Sequence, residues 1–390
     1  VRVLFSSTSG LGHVYPLVPL ARALLDGGHD VLWAVGADAR AAVEACGVPT
    51  VVCGGARDVL GAIRADVFSV AKRLPPPEQA AYLFPRWFGG QVPSMVDGLL
   101  PLAHDWRPDL LVHEQAELAS PLVAAVVGVA SVTTAFGGHV PAAFVAAAGE
   151  RLAPLWAAHG LTVPPYAGCY GSLYLDICPP SVQTVPGDHV PHRQPLRPVA
   201  MTGPPPSATP DYFAAVDRPL VYLTLGTVRH DASVLRAAVA ATAALPVRVL
   251  VALGPGGDAS ALGEVPAHVR VEQWVHQPQV LEHAAVVVSH GGSGTFLGAL
   301  AQGLPQLCLP QAADQFRNAE GGVRSGAALA LRPSETDVKA VRAAVERLLA
   351  EPSFSTAATV VADEIAAMPS PAEVVEVLEA RFGSAPTIEP

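Results

Sequence analysis

Charge is scarce in this chain. Of 390 residues only 15% are Asp, Glu, Lys or Arg, and Lys72 and Lys339 are the only lysines. A formal net charge of −10 leaves no basic surface of the kind that holds a phosphate backbone, which speaks against a nucleic-acid-binding protein. The lysine deficit, beside abundant Ala, Gly and Pro, reads as codon bias of a GC-rich genome. Cysteine is also scarce: Cys46, Cys53, Cys169, Cys178 and Cys308 are odd in number, without C-x-x-C or zinc-type spacing. That argues against a disulfide framework or a zinc ribbon and suggests a reduced, cytoplasmic protein. Long hydrophobic runs are missing as well. The most apolar stretch, 121–136, is too short and too rich in Ser and Thr to cross a bilayer. The opening Val1-Arg2-Val3-Leu4-Phe5 reads as a strand, not a signal peptide.

What the chain has is apolar material, 51% of residues. That is enough for large cores and, at this length, for two domains. Strands and helices alternate. Residues 1–6 and 30–35 are continuous β-type runs, and 16–26 carries Leu17, Leu20, Ala21, Leu24 and Leu25 at helical spacing before Gly27-Gly28. A helix is expected at 37–46, strands at 110–113 and 130–134, and a helix at 121–127. A second series follows: strands 220–225, 247–252, 269–273 and 285–289, with a helix at 232–244. Such alternation means βαβ units around parallel sheets. Residues 179–210 hold Pro179, Pro180, Pro186, Pro191, Pro195, Pro198 and Pro204-Pro205-Pro206, and read as the boundary region. The expected division is a first domain at 1–200, a linker at 201–216 and a second domain at 217–370. A final helix and tail at 371–390 can return to the first domain.

Two glycine-rich junctions stand at expected strand ends, where ligands bind in open α/β sheets. In the first, Ser9-Gly10-Leu11-Gly12-His13, a dinucleotide fingerprint fails because its third glycine would fall at Tyr15, and no acid closes the second strand. His13 stands at a helix start, where the dipole disfavours an imidazolium; a neutral imidazole can serve as a general base. A helix cap or a packed ring is the alternative. Glu114, just past the 110–113 strand, shares that rim and can orient the ring, although His113 and Glu117 are not separable from it by sequence. The second junction, Ser289-His290-Gly291-Gly292-Ser293-Gly294-Thr295, follows Ala284-Ala285-Val286-Val287-Val288 and opens a helix. Backbone N–H groups and the positive end of a dipole converge there on a phosphate or pyrophosphate site.

With these motifs the chain resembles the nucleotide-sugar-dependent glycosyltransferases of the two-Rossmann-domain (GT-B) type, and especially the bacterial enzymes that decorate antibiotics and other natural products. The resemblance rests on Gly10-x-Gly12-His13-x-x-Pro16, Leu223-Thr224-Leu225-Gly226-Thr227, Trp274-Val275-x-Gln277, His290-x-Gly292-x-Gly294-Thr295 and Asp314-Gln315. It spans nearly the whole length and is weakest at 54–102. It implies an α/β fold of two Rossmann-like domains facing across a cleft, with the acceptor on the first and the nucleotide sugar on the second. It implies His13 as the base that deprotonates an acceptor hydroxyl and Glu114 as its orienting carboxylate. Trp274 and the Val275 backbone would meet the donor's base, with Gln277 nearby. His290, Gly292, Ser293, Gly294 and Thr295, with Gly12, Gly226 and Thr227, would hold the pyrophosphate, and Asp314 and Gln315 the sugar hydroxyls.

The helix terminus and His290 can carry the leaving group's charge, and no D-x-D stands ready for Mg²⁺, so no metal or other cofactor is expected beyond the nucleotide-sugar co-substrate. Direct displacement would invert the anomeric carbon. Many UDP-sugar enzymes of the family have a glutamate, three residues after Thr295, on both ribose hydroxyls; here that place is Gly298. A buried carboxylate expecting two hydroxyls disfavours deoxyribose, so its absence points to a dTDP-sugar, a deoxyhexose above all. Tyr82, Phe84, Trp87 and Phe88, with Phe136 and His139, are the candidate wall for an apolar acceptor such as a polyketide, against the plain reading that they cover the core. A homodimer is compatible with the sequence. The competing readings are a nucleotide-sugar epimerase on the same scaffold, an NAD(P)-dependent oxidoreductase and a catalytically silent sugar-nucleotide binder.

Overall fold

The computed structural model describes residues 1–383 apart from 56, 202, 204–210, 214–216, 227–231 and 255. Two parallel sheets organise it. The first contains β1 (Arg2–Ser7), β2 (Asp30–Val35), β3 (Thr50–Val52), β4 (Leu110–Glu114), β5 (Ala130–Thr134), β6 (Leu173–Asp176) and β7 (Arg193–Pro195). Their order is β3-β2-β1-β4-β5-β6-β7. The second contains β8 (Leu220–Thr224), β9 (Arg248–Ala252), β10 (Val269–Glu272), β11 (Ala284–Ser289), β12 (Gln306–Cys308) and β13 (Ala328–Ala330), in the order β10-β9-β8-β11-β12-β13. This mixed α/β architecture, two Rossmann-like sheets with helical crossovers, is the expected fold class.

The continuous apolar runs have a simple cause: a parallel sheet covered by helices is buried on both faces. In the second sheet Val221, Leu223, Val249, Val251, Val286 and Val288 face one core, against Leu235, Val239, Val341 and Val345. The intervening Leu220, Tyr222, Leu250, Ala252 and Val287 face another, against Val280, Leu281 and Ala299. Period-two alternation therefore serves two apolar layers at once.

Each sheet has one point where the strand order reverses direction. In the first it lies between β1 and β4, paired in parallel with Ser6 beside His113. In the second it lies between β8 and β11, with Thr224 beside Ser289. Crossovers on opposite faces diverge there, leaving a crevice at the carboxyl ends. Both glycine-rich junctions follow strands at these points.

The chain divides into two compact units. One comprises Val1–Ile177, Val185–Arg197 and Pro369–Pro390, the other Cys178–Thr184 and Pro198–Met368. The segment Cys178–Thr184, read in sequence as part of the first domain, packs with the second unit. Gly321 has its reason here: a Cβ would collide with the Val182 carbonyl oxygen. Arg324 Nη2 also donates to the Gln183 carbonyl (2.6 Å). The helix Pro371–Phe382 packs in the first unit, where Glu379 meets His29 (2.9 Å) and Arg381 donates to the Ser172 carbonyl (3.0 Å). The proline-rich stretch contains β7, and Pro195 is tolerated because β7 is an edge strand. The stretch that resembled the family least is helical: Arg57–Ala71, Pro76–Leu83 and Gly89–Trp106, joined by a π-type turn at Phe84–Phe88.

Candidate active site and donor site

His13 lies in the first turn after β1, within Leu11–Val14. Its Nδ1 is 3.2 Å from Glu114 Oε1, with the histidine side chain 22% exposed and the carboxylate 0%. The same Oε1 accepts from the Thr8 hydroxyl (2.9 Å) and the Thr8 N–H (3.3 Å), and Oε2 accepts from the Ala116 N–H (2.5 Å). Burial works to raise the Glu114 carboxyl. The facing His13 charge and the hydrogen bonds from His13, Ala116 and Thr8 outweigh it and hold the group below its ordinary value. An ionised Glu114 can only accept, so Nδ1 carries the proton and Nε2 is the basic nitrogen.

His113 and Glu117, inseparable from Glu114 in sequence, have other partners. His113 Nδ1 faces the carbonyl oxygens of Glu117 (2.8 Å) and Glu114 (3.1 Å), and its Nε2 meets the Thr133 hydroxyl (3.1 Å). Burial lowers its pKa, opposed by Glu117 and the carbonyl bonds. Glu117 accepts from the N–H groups of Ala119 (2.9 Å) and Ser120 (3.1 Å) at the start of the helix Ser120–Val127. Thr8 is a site residue that sequence reading missed; nothing in its spacing marks it.

Aromatic rings bracket His13. Phe136 lies 4.4 Å and Phe88 5.5 Å away, centroid to centroid. A pocket opens at these strand ends, lined among others by Thr8, Cys53, Leu60, Phe88, Gln91 and Met95. The other aromatic candidates separate by burial. Phe84 is 7% exposed against Phe88 and Phe144, and His139 is 1% exposed and bonded to Asp176 Oδ2 (2.8 Å), so both lie inside the fold. Tyr82, under the Arg86 guanidinium, and Trp87, edge-on to Phe68, are partly exposed. Gly12 is exposed, with open space where a Cβ would stand.

In the second unit β11 runs into His290 and the helix Ser293–Ala301, with Gly292 as N-cap and no side chain capping the first turn. Only glycine fits beside the His290 ring. A Cβ at Gly226 or at Gly292 would come within 2.5 Å of it, and Gly226 has φ 82°. Gly294 is exposed, with nothing near its missing Cβ, so its N–H end of the helix is open to an anion. Trp274 is 40% exposed for a large aromatic, while Val275 is 6% exposed. Gln277 is buried; its Oε1 accepts from the Thr295 hydroxyl (2.9 Å) and from the Tyr222 hydroxyl (3.4 Å). Thr227 lies outside the described residues.

Asp314 precedes the helix Gln315–Arg324. Its Oδ2 accepts from the Ser293 hydroxyl (2.6 Å) and from Asn318 Nδ2 (3.2 Å), tying the sugar-site candidates to the glycine-rich junction after β11. Gln315 Oε1 accepts from the N–H groups of Gln311 (2.8 Å) and Ala312 (2.9 Å). Burial lowers the Arg317 guanidinium from its usual value, with Asp314 opposing. A Cβ at Gly298 would stand 3.2 Å from both Ala200 Cβ and Leu281 Cδ1, a tight approach that those side chains would have to relieve by a few tenths of an ångström. Among the described residues no three His, Cys, Asp or Glu side chains gather as metal ligands, and no helix is long and apolar enough to cross a membrane.

Solved structures share this fold. The glycosyltransferase VinC, in complex with dTDP, matches with a TM-score of 0.82 at 26% identity, covering 98% of this chain and 100% of that one. SnogD from Streptomyces nogalater matches at 0.79 with 31% identity, covering 97% and 99%. The fold and these matches define a GT-B glycosyltransferase. The model of the erythromycin biosynthesis protein CIII-like N-terminal domain matches residues 22–226, and that of its C-terminal domain matches 236–381. Elloramycin glycosyltransferase ElmGT of Streptomyces olivaceus is 34% identical over 98% of each chain. The L-demethylnoviosyl transferase of Streptomyces niveus is 32% identical over 97% of this chain and 98% of its own. The chain belongs to the erythromycin biosynthesis protein CIII-like family and is a bacterial natural-product glycosyltransferase.

Proposed function

We propose that the enzyme transfers a deoxysugar from a dTDP-sugar to a hydroxyl of a natural-product aglycone such as a polyketide, inverting the anomeric carbon without a metal. The observation that carries this reading is the His13–Glu114 pair, 3.2 Å apart, with a fully buried carboxylate fixed by Thr8 and Ala116. The acceptor oxygen attacks the anomeric carbon while its proton passes to His13 Nε2. The bond from that carbon to the diphosphate oxygen breaks, and dTDP leaves with the electron pair. One displacement from the opposite face inverts the centre.

The first-turn N–H groups of Ser293–Ala301, with His290, are the groups to meet the leaving diphosphate's charge. Gly298 supports a thymidine nucleotide, since glycine supplies no carboxylate to hold a second ribose hydroxyl there. VinC and SsfS6 have been crystallised with thymidine diphosphate. Phe88 and Phe136, beside His13, and the pocket reaching Leu60 and Met95 are the proposed acceptor wall. Spinosyn rhamnosyltransferase SpnG has been solved with its spinosyn aglycone, a precedent for a bulky acceptor.

Incubation with dTDP- and UDP-sugars and a panel of polyketide aglycones, read by mass spectrometry, tests the activity. H13A should reduce transfer by about two to four orders of magnitude while dTDP still binds. Unchanged turnover removes His13 from the mechanism, and a calorimetric preference for UDP over dTDP refutes the nucleotide assignment.

A further inference from the structure

We infer that Ser293 and Asn318 act through Asp314 as specificity-determining positioning residues, so that the site admits donor sugars that do not offer a vicinal diol to this carboxylate as readily as those that do. The inference rests on the reading that Asp314 and Gln315 hold the donor sugar. Asn318 Nδ2 lies 2.9 Å from the Gly291 carbonyl oxygen, 3.0 Å from Ser293 Oγ and 3.2 Å from Asp314 Oδ2. Its three neighbours can all accept, which fixes the orientation of the amide. An amide NH₂ has no acceptor capacity, so Ser293 Oγ receives from Asn318 and its single proton turns to Asp314 Oδ2, 2.6 Å away. Ser293 and Asn318 are each 7% exposed, so the bonds are made inside the fold.

The consequence is a carboxylate with one engaged oxygen. Oδ2 takes the Ser293 proton at 2.6 Å and a share of an Asn318 N–H, the two amide protons being divided among three acceptors. A free carboxylate grips a vicinal diol with one oxygen per hydroxyl, as it grips the two arms of a guanidinium. Asp314 retains only Oδ1 for substrate. Gln315 is restricted in the complementary sense. Its Oε1 is engaged by the N–H groups of Gln311 and Ala312, so its amide can only donate to a sugar. The donor subsite thus presents one carboxylate oxygen and one amide donor. A sugar that lacks, methylates or replaces one hydroxyl of the pair leaves nothing unsatisfied. A full diol gains no second grip.

The test is calorimetry of dTDP-glucose and its 3-deoxy and 4-deoxy analogues, each affinity normalised to the same variant's affinity for dTDP. Wild type should bind at least one analogue within about threefold of dTDP-glucose. S293A, which frees a lone pair on Oδ2, should prefer dTDP-glucose over both analogues by about tenfold, and S293T should restore the wild-type pattern. Wild type penalising both analogues by tenfold overturns the inference, as does an S293A pattern identical to wild type. If D314A leaves every normalised affinity unchanged, Asp314 does not touch the sugar, and the underlying assignment fails instead.

Discussion

Replacing Glu114 by glutamine changes one oxygen for an NH₂ group of similar size, and the surroundings make that change costly. Oε1 faces three donors, His13 Nδ1 and the hydroxyl and N–H of Thr8, whereas Oε2 faces the Ala116 N–H at 2.5 Å. If the amide oxygen takes the Oε1 place, its NH₂ points at the Ala116 N–H, two donors at contact at a side chain that is 0% exposed. If it takes the Oε2 place, the NH₂ points at His13 and Thr8. The threonine hydroxyl can rotate to accept, but His13 must accept at Nδ1, which moves its proton to Nε2. The base is then capped at the atom that should receive the acceptor's proton. Loss of general-base action is worth about 10²- to 10⁴-fold. Losing the charge-assisted bonds costs about 2–4 kcal/mol of stability. E114Q should therefore lose two to four orders of magnitude in kcat and several degrees in Tm, with dTDP affinity retained because the proposed donor residues lie in the other unit. The assay is steady-state transfer alongside calorimetry with dTDP. A kcat within tenfold of wild type, with the protein folded and binding dTDP, would refute the assignment of Glu114 as the orienting group.

Three further outcomes are expected. G226A, which sets a Cβ 2.5 Å from the His290 ring at φ 82°, should weaken dTDP binding at least about tenfold, since a left-handed non-glycine costs about 1–2 kcal/mol before the ring is displaced; calorimetry on folded protein checks this. W274A removes a 40%-exposed ring and should lower dTDP affinity by about 1–3 kcal/mol, the worth of base stacking, with Tm nearly unchanged; unaltered affinity would remove Trp274 from the base site. The folded pKa of His113 lies below its ordinary 6.5, so the unfolded chain binds more protons in that window. Stability should be full above 6.5 and fall as pH drops below it. H113N should flatten that limb of a Tm-against-pH series, whereas an unchanged slope would place the titration elsewhere. Glu114 acts lower: its folded value is below 4.5, so its contribution is present above 4.5 and lost as pH falls through the depressed value.

The sequence made the central strands legible because a doubly covered parallel strand is apolar throughout, as in Leu110-Leu111-Val112 and Val286-Val287-Val288. Glycines at strand ends marked both crevices for the same reason that they fit there. Much of the 57–106 helical block escaped notice. Pro93 and Pro101 lie inside Gly89–Trp106, and a π-type turn shifts the phase of the apolar pattern before it. The short β7 hid among prolines because an edge strand tolerates what an interior one cannot. In the site, the oriented histidine could be anticipated; the choice of Glu114 over His113 and Glu117 came from the family resemblance and not from the residue pattern itself. Adjacent side chains on a strand point to opposite faces, and only the register decides which carboxylate meets His13. Asn318 was detectable in principle, four residues after Asp314 and so on the same helical face. Its link to Ser293 joins two loops remote in sequence.

The return of the helix Pro371–Phe382 to the first unit has a consequence for recombining relatives. The backbone passes between the two units four times, after Ile177, Thr184, Arg197 and Met368. A hybrid spliced once near residue 200 would give the first unit a foreign closing helix. His29 would then meet a stranger's residue in place of Glu379, and Ser172 one in place of Arg381. Exchange of donor specificity between such enzymes needs a second junction before Pro371, so that each unit keeps the helix that evolved with it.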